Sequence, residues 1–207
     1  MADGPTLSVL LRQLRLPTMA ACYEEVAEPA SMHGCRLDRS MATLCEYELA
    51  ERDRRRLQRH LKEARLPAGK TLETFDFGAI GGADRPQLTQ LATDTGWIER
   101  CQNLLLFGPS GVGKSHIAAA IGRALIEQGL RVRYYSASAL VQELQAAKRA
   151  LLLPETLTKM DKYRLLIIDD VGYIKRDEAE TTVLFELIAQ RYEAGSVVIT
   201  SNQPFSA

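Results

Sequence analysis

The hydrophobic pattern changes character partway along the chain. Up to about residue 66, apolar positions recur at helical spacing: Leu7, Leu10, Leu11 and Leu14, then Met19, Cys22, Tyr23 and Val26. Pro17 separates these two groups, and Thr18 is positioned to cap the second helix. Residues 29–39 are polar and irregular. A longer helix is expected from about Ser40 to Arg65, stopped by Pro67. From residue 101 the period alternates between strand and helix. Strands are expected over 102–107, 131–136, 164–169 and 196–201, and helices over 114–128, 138–149 and 178–193. Gly129 and Gly195 fall where helix C-caps belong, and Asp177 with Glu180 forms a capping pair for the third helix.

The strand segments are continuous aliphatic runs, such as Leu165-Leu166-Ile167-Ile168 and Val197-Val198-Ile199. Runs of that kind are buried on both faces, which predicts a parallel sheet covered by helices. The chain therefore divides into a helical N-terminal domain (1–66), a connector (67–100) and an α/β core (101–207). The connector carries Phe75 and Phe77, which either line an adenine pocket or dock the connector. Gly78, Gly81 and Gly82 follow, then a helix-like stretch from about Pro86 to Thr95.

Composition narrows the partners. Formal net charge is zero over 207 residues, so no global field draws the molecule to nucleic acid or to an anionic membrane. Any basic surface must be local, and one candidate exists. At about 100° per residue, Arg52, Arg55, Arg56, Arg59 and Lys62 fall on one side of the long helix, with Leu57, Leu61 and Ala64 opposite. That face could hold a DNA backbone or an acidic partner, although Glu51, Asp53 and Glu63 are interleaved with it. No apolar run reaches the roughly 20 residues of a membrane span. The N-terminus carries no basic-then-apolar signal, so a cytoplasmic location is expected. Cys22, Cys35, Cys45 and Cys101 do not fall at zinc-module spacing and are expected as reduced thiols.

The chemistry is concentrated in three places. Gly108-Pro109-Ser110-Gly111-Val112-Gly113-Lys114-Ser115 follows one strand and opens one helix, the context of a phosphate-binding loop (Walker A). Glycines let successive N–H groups turn inward toward phosphate oxygens, and the helix N-terminus adds its dipole. Lys114 can reach the β- and γ-phosphates of ATP, and Ser115 can offer its hydroxyl to Mg²⁺. The next strand but one ends in Asp169-Asp170, a Walker B arrangement. Asp169 would hold Mg²⁺ through water, and Asp170 would polarise the attacking water as general base. The last strand ends in Thr200-Ser201-Asn202, which would bring the Asn202 amide to the γ-phosphate and water.

Three motifs in this order resemble the AAA+ ATPases. The segment from Asn103 to His116 is similar to the IstB-like insertion-sequence helper ATPases. So are Leu165 to Tyr173, Ala179 to Phe185, Arg191-Tyr192-Glu193, and Thr200 to Phe205. Leu16 to Ala20 and Leu72 to Phe77 extend the similarity over nearly the whole chain. The resemblance implies a P-loop core with Gly108 to His116 around the nucleotide. It also implies ATP and Mg²⁺ as cofactors, double-stranded DNA and a transposase as partners, and homo-oligomers in full-length form. DnaC-type helicase loaders are related, so a replicative helicase is the alternative partner, and a nucleotide-bound DNA adaptor is a third reading. AAA+ sheets run in the order 5-1-4-3-2 and continue with an arginine that reaches a neighbour's nucleotide. Neither that fifth strand nor that arginine can be placed before Ala207, and Arg176 and Arg191 do not match its position. The resemblance therefore implies a C-terminally incomplete core, an open edge on the first strand and weak hydrolysis.

Overall fold

The computed structural model describes residues 7–32, 37–79, 84–173 and 178–203. It forms two compact units, residues 1–58 and 59–207.

In the first unit, α1 (Leu7–Gln13) and α2 (Pro17–Met32) pack on each other. The third helix, α3, spans Leu37–Ala64. Helix α2 continues through Pro29 into the stretch expected to be irregular. Thr18 does not cap α2. The N-terminus of α2 is capped from α3 instead: the Glu48 carboxylate accepts hydrogen bonds from the backbone N–H groups of Thr18 (2.9 Å) and Met19 (3.1 Å). A carboxylate there satisfies two orphan donors and complements the helix dipole. Arg52 Nε closes the cluster on Glu48 Oε1 at 3.0 Å, and Arg52 Nη2 donates to the Arg15 carbonyl at 2.8 Å.

The boundary between the units falls inside α3, ahead of residue 66. Residues 59–66 belong with the core for a physical reason. Ala64 is fully buried, Glu63 pairs with Arg131 at 3.1 Å, and the Glu63 carbonyl accepts from Arg133 Nη1 at 2.6 Å.

The second unit holds a four-stranded parallel sheet. Its strands are β1 (Leu104–Phe107), β2 (Val132–Ser136), β3 (Leu165–Asp169) and β4 (Ser196–Ser201), in the order β1-β4-β3-β2. The order agrees with the expected AAA+ arrangement of these four strands. Strand β3 is central, and Leu165 to Ile168 are all buried, as their continuous apolar run requires. Around the sheet lie α4 (Arg85–Thr93), α5 (Gly96–Glu99), α6 (Lys114–Glu127), α7 (Ala137–Arg149), α8 (Leu153–Met160) and α9 (Glu178–Arg191). Helices α5 and α8 lie outside the expected elements.

Gly129 has φ +90°, as a C-terminal cap requires. Gly195 does not cap α9, where Glu193 takes the left-handed conformation (φ 56°). Gly195 serves Arg191 instead. The Arg191 guanidinium is buried and donates to the carbonyls of Tyr163 (2.8 Å), Ser196 (3.1 Å) and Arg164 (3.2 Å). A side chain at Gly195 would collide with it. Asp177 of the expected capping pair and Arg176 lie outside the described residues.

Candidate functional site

All four strands point the same way, so their C-terminal ends share one edge of the sheet, where open α/β sheets place their ligands. Register fixes which residues meet there. Phe107, the last residue of β1, pairs with Ser201, and Ser136 pairs with Asp169. The loop beginning at Gly108 and the residue Asn202 therefore leave adjacent strand ends together.

The loop has the conformation its glycines permit. Gly108 (φ 149°), Gly111 (φ 85°) and Gly113 (φ 81°) all lie in the region that disfavours side chains. Gly113 is the N-cap of α6, so Lys114 and Ser115 form its first turn. The Lys114 ammonium donates to the carbonyls of Gly108 and Pro109, both at 2.8 Å, and so spans its own loop. A cavity of about 480 Å³ lies alongside. Its lining includes Gly108, Pro109, Val112 and Lys114 from the loop, and Asp84 and Leu88 from around α4.

Asp169 is held from both sides. Tyr134 on β2 donates its phenolic hydroxyl to Oδ2 at 2.5 Å, and Thr200 on β4 donates to Oδ1 at 2.6 Å. The same Thr200 oxygen accepts the backbone N–H of Asp170 at 2.8 Å. That bond pins Asp170 in a left-handed conformation (φ 69°), which is costly for a residue with a side chain. Burial, and then the neighbouring Asp169 charge, push the Asp170 carboxyl above its usual range, while Lys114 opposes the shift. A carboxylate raised in this way is a better proton acceptor than a free one.

The donor set suits a hard cation. Among the described residues no group of three or more His, Cys, Asp or Glu could hold a metal. Asp169 and Ser115 alone do not make a cage. They suit Mg²⁺, which binds to proteins through one or two carboxylates and completes its shell with water and phosphate oxygens.

Residues 9–207 match the IstB-like ATP binding protein family. This chain belongs to that family. An insertion sequence ATP-binding protein of Sinorhizobium fredii is 49% identical over 98% of this chain and 68% of its own length. The ATP-binding protein of insertion sequence IS5376 from Geobacillus stearothermophilus is 37% identical over 93% of this chain and 76% of its own. Among solved structures, AMPPCP-bound DnaA from Aquifex aeolicus superposes with a TM-score of 0.58 at 22% identity, over 67% of this chain and 43% of its own. The DnaC helicase loader gives 0.56 at 18%, over 68% of this chain and 81% of its own. At these identities the likeness shows the fold alone.

Not every candidate residue of this IstB-like chain converges on the loop. His116 turns to the connector: its Nε2 lies 2.8 Å from the Thr71 carbonyl and 3.2 Å from Thr74 Oγ1. Phe75 packs edge-on against the His116 ring at 5.2 Å and against Phe77 at 4.8 Å. Arg85 stacks over Phe77 at 5.2 Å. The aromatics thus dock the connector on α6, which was one of the two roles open to them.

Most of the basic residues of α3 carry their own counter-ions. Arg52 pairs with Glu48, Arg55 with Glu51 and Arg56 with Asp53. Arg59 and Lys62 are exposed. The positions that sequence reasoning missed are Tyr134 and Gly172; Thr200 reads in the sequence as a residue that packs or caps near the site, and its bonds to Asp169 and Asp170 come from the structure. A Cβ on Gly172 would overlap the Asn202 carboxamide. No sequence motif marks Tyr134; only the register, which sets it diagonally across from Asp169, could have found it.

Proposed function

We propose that this chain is a Mg²⁺-dependent ATPase that assists DNA transposition. Supporting this are its membership of an ATP-binding family and relatives named as insertion sequence ATP-binding proteins. The observation that carries hydrolysis, beyond binding, is the network Asp170 N–H to Thr200 to Asp169 beside the phosphate-loop strand.

In this reading the N–H groups of residues 108–115 hold the β- and γ-phosphates and Lys114 neutralises them. Ser115 and Asp169 hold Mg²⁺. When bound, Mg²⁺ would supply positive charge against the charge that develops on the phosphates. Asp170 accepts the proton of the attacking water, and its raised affinity for protons suits that role. Asn202 orients that water against the γ-phosphate. His116 is a strut between α6 and the connector.

The partners are double-stranded DNA and a transposase, engaged by homo-oligomers. Arg52, Arg55, Arg56, Arg59 and Lys62 supply the phosphate contacts. The ion pairs of Arg55 and Arg56 do not prevent that, because pairs at the surface contribute only about 0.2–1 kcal/mol and exchange readily for phosphate; Arg52, bonded to the buried Glu48, has its remaining donor capacity for phosphate. The likeness to the DnaC helicase loader supports the fold alone, so the transposition reading stands ahead of helicase loading.

Phosphate release from Mg·ATP, with and without double-stranded DNA, tests the proposal. The wild type releases phosphate, and Asp170→Asn binds ATP without releasing it. Equal release by Asp170→Asn would overturn the assignment.

A further inference from the structure

The buried hydroxyl network points beyond the motif residues. Asp169 has about four lone-pair sites when ionised. Tyr134 occupies one on Oδ2 and Thr200 one on Oδ1, which leaves one on each oxygen. The two donors come from opposite neighbours of β3, so the carboxylate is clamped across three strands. Thr200 is buried, and its hydroxyl is already shared with the backbone of Asp170. Tyr134 has no second partner for its hydroxyl, so that group serves Asp169 alone among the described residues.

We propose that Tyr134 is a positioning residue for the cation site: its hydroxyl fixes the rotamer of Asp169, so that the remaining lone pairs meet the water shell of Mg²⁺ in a preset geometry. This deepens the proposed ATPase reading and rests on it. Partners of this kind, one bond removed from a metal, set how tightly the metal is held. Thr200 anchors the second oxygen, but it also fixes the backbone. Tyr134 is therefore the residue whose loss isolates the effect on the carboxylate.

The test uses the whole chain, ADP and Mn²⁺ as the paramagnetic probe. Bound Mn²⁺ is read by electron paramagnetic resonance in the presence of ADP, and metal-free ADP affinity is read separately by calorimetry. Tyr134→Phe is expected to need about tenfold more Mn²⁺ for half-saturation, with metal-free ADP affinity unchanged. A wild-type Mn²⁺ midpoint in Tyr134→Phe would overturn the inference. An equal loss of metal-free ADP affinity would also overturn it, by making Tyr134 a support of the fold. Should the wild type itself fail to bind ADP with Mn²⁺, the ATPase reading fails first.

Discussion

Gly172 and Asn202 face each other so closely that a methyl group on the glycine would overlap the carboxamide oxygen of Asn202. The glycine directly follows the Asp169-Asp170-Val171 segment, so the turn after β3 limits where the amide that follows β4 can sit. Gly172→Ala is expected to displace Asn202 while leaving the phosphate loop intact. A displacement of about 1 Å can cost on the order of a hundredfold in rate. Nucleotide affinity within about twofold of wild type, with phosphate release lowered by roughly that factor, is the predicted outcome. Unchanged release would separate Asn202 from the chemistry.

Glu48 joins α2 to α3 in the first unit, and removing its carboxylate leaves two backbone donors and Arg52 without their partner. Glu48→Ala should cost about 1–3 kcal/mol, measured as a lower melting temperature. The pH dependence has a definite sign. Burial raises this carboxyl, but the hydrogen bonds from Met19, Arg52 and Thr18 outweigh burial and hold it below its usual range. The stabilisation is therefore complete above the ordinary carboxylate range. It is lost as the pH falls through the lowered value. In Glu48→Ala that part of the acid destabilisation should disappear.

Arg191 is a structural cation. It is buried among backbone carbonyls at the junction of α9, β3 and β4. Arg191→Met would leave those carbonyls without donors, at a cost of about 3 kcal/mol. Gly195→Ala would crowd the same guanidinium, at a cost of about 1–3 kcal/mol. Both should lower the denaturation midpoint without changing ATP affinity in the folded protein. A normal midpoint in Arg191→Met would contradict the account.

Much of the core was legible because β3 and most of β4 are continuous aliphatic runs. Leu165 to Ile168 could be nothing but a central strand, and the loop glycines specified their own backbone. Helix α8 was hidden by Pro154, which reads as a breaker but is tolerated in a first helical turn. Glu48 and Arg191 were opaque because most of their partners lie far away in sequence: a carboxylate capping another helix, and a guanidinium filling a cage of carbonyls. At the site, the motif residues were visible through their spacing. His116 lies beside the motif but faces the connector, which only packing reveals. Tyr134 and Thr200 act through register across β2, β3 and β4, and register is not written in any one segment.

On the proposed function, residues 108–115, with Lys114, hold the phosphates of ATP. Equilibrium binding of a fluorescent ATP analogue in the presence of Mg²⁺, to wild type and to Lys114→Ala, tests it most directly. Each charged hydrogen bond lost contributes about 1.5–3 kcal/mol, so the account predicts binding about tenfold to a hundredfold weaker in Lys114→Ala. Equal affinity in the two proteins would contradict it.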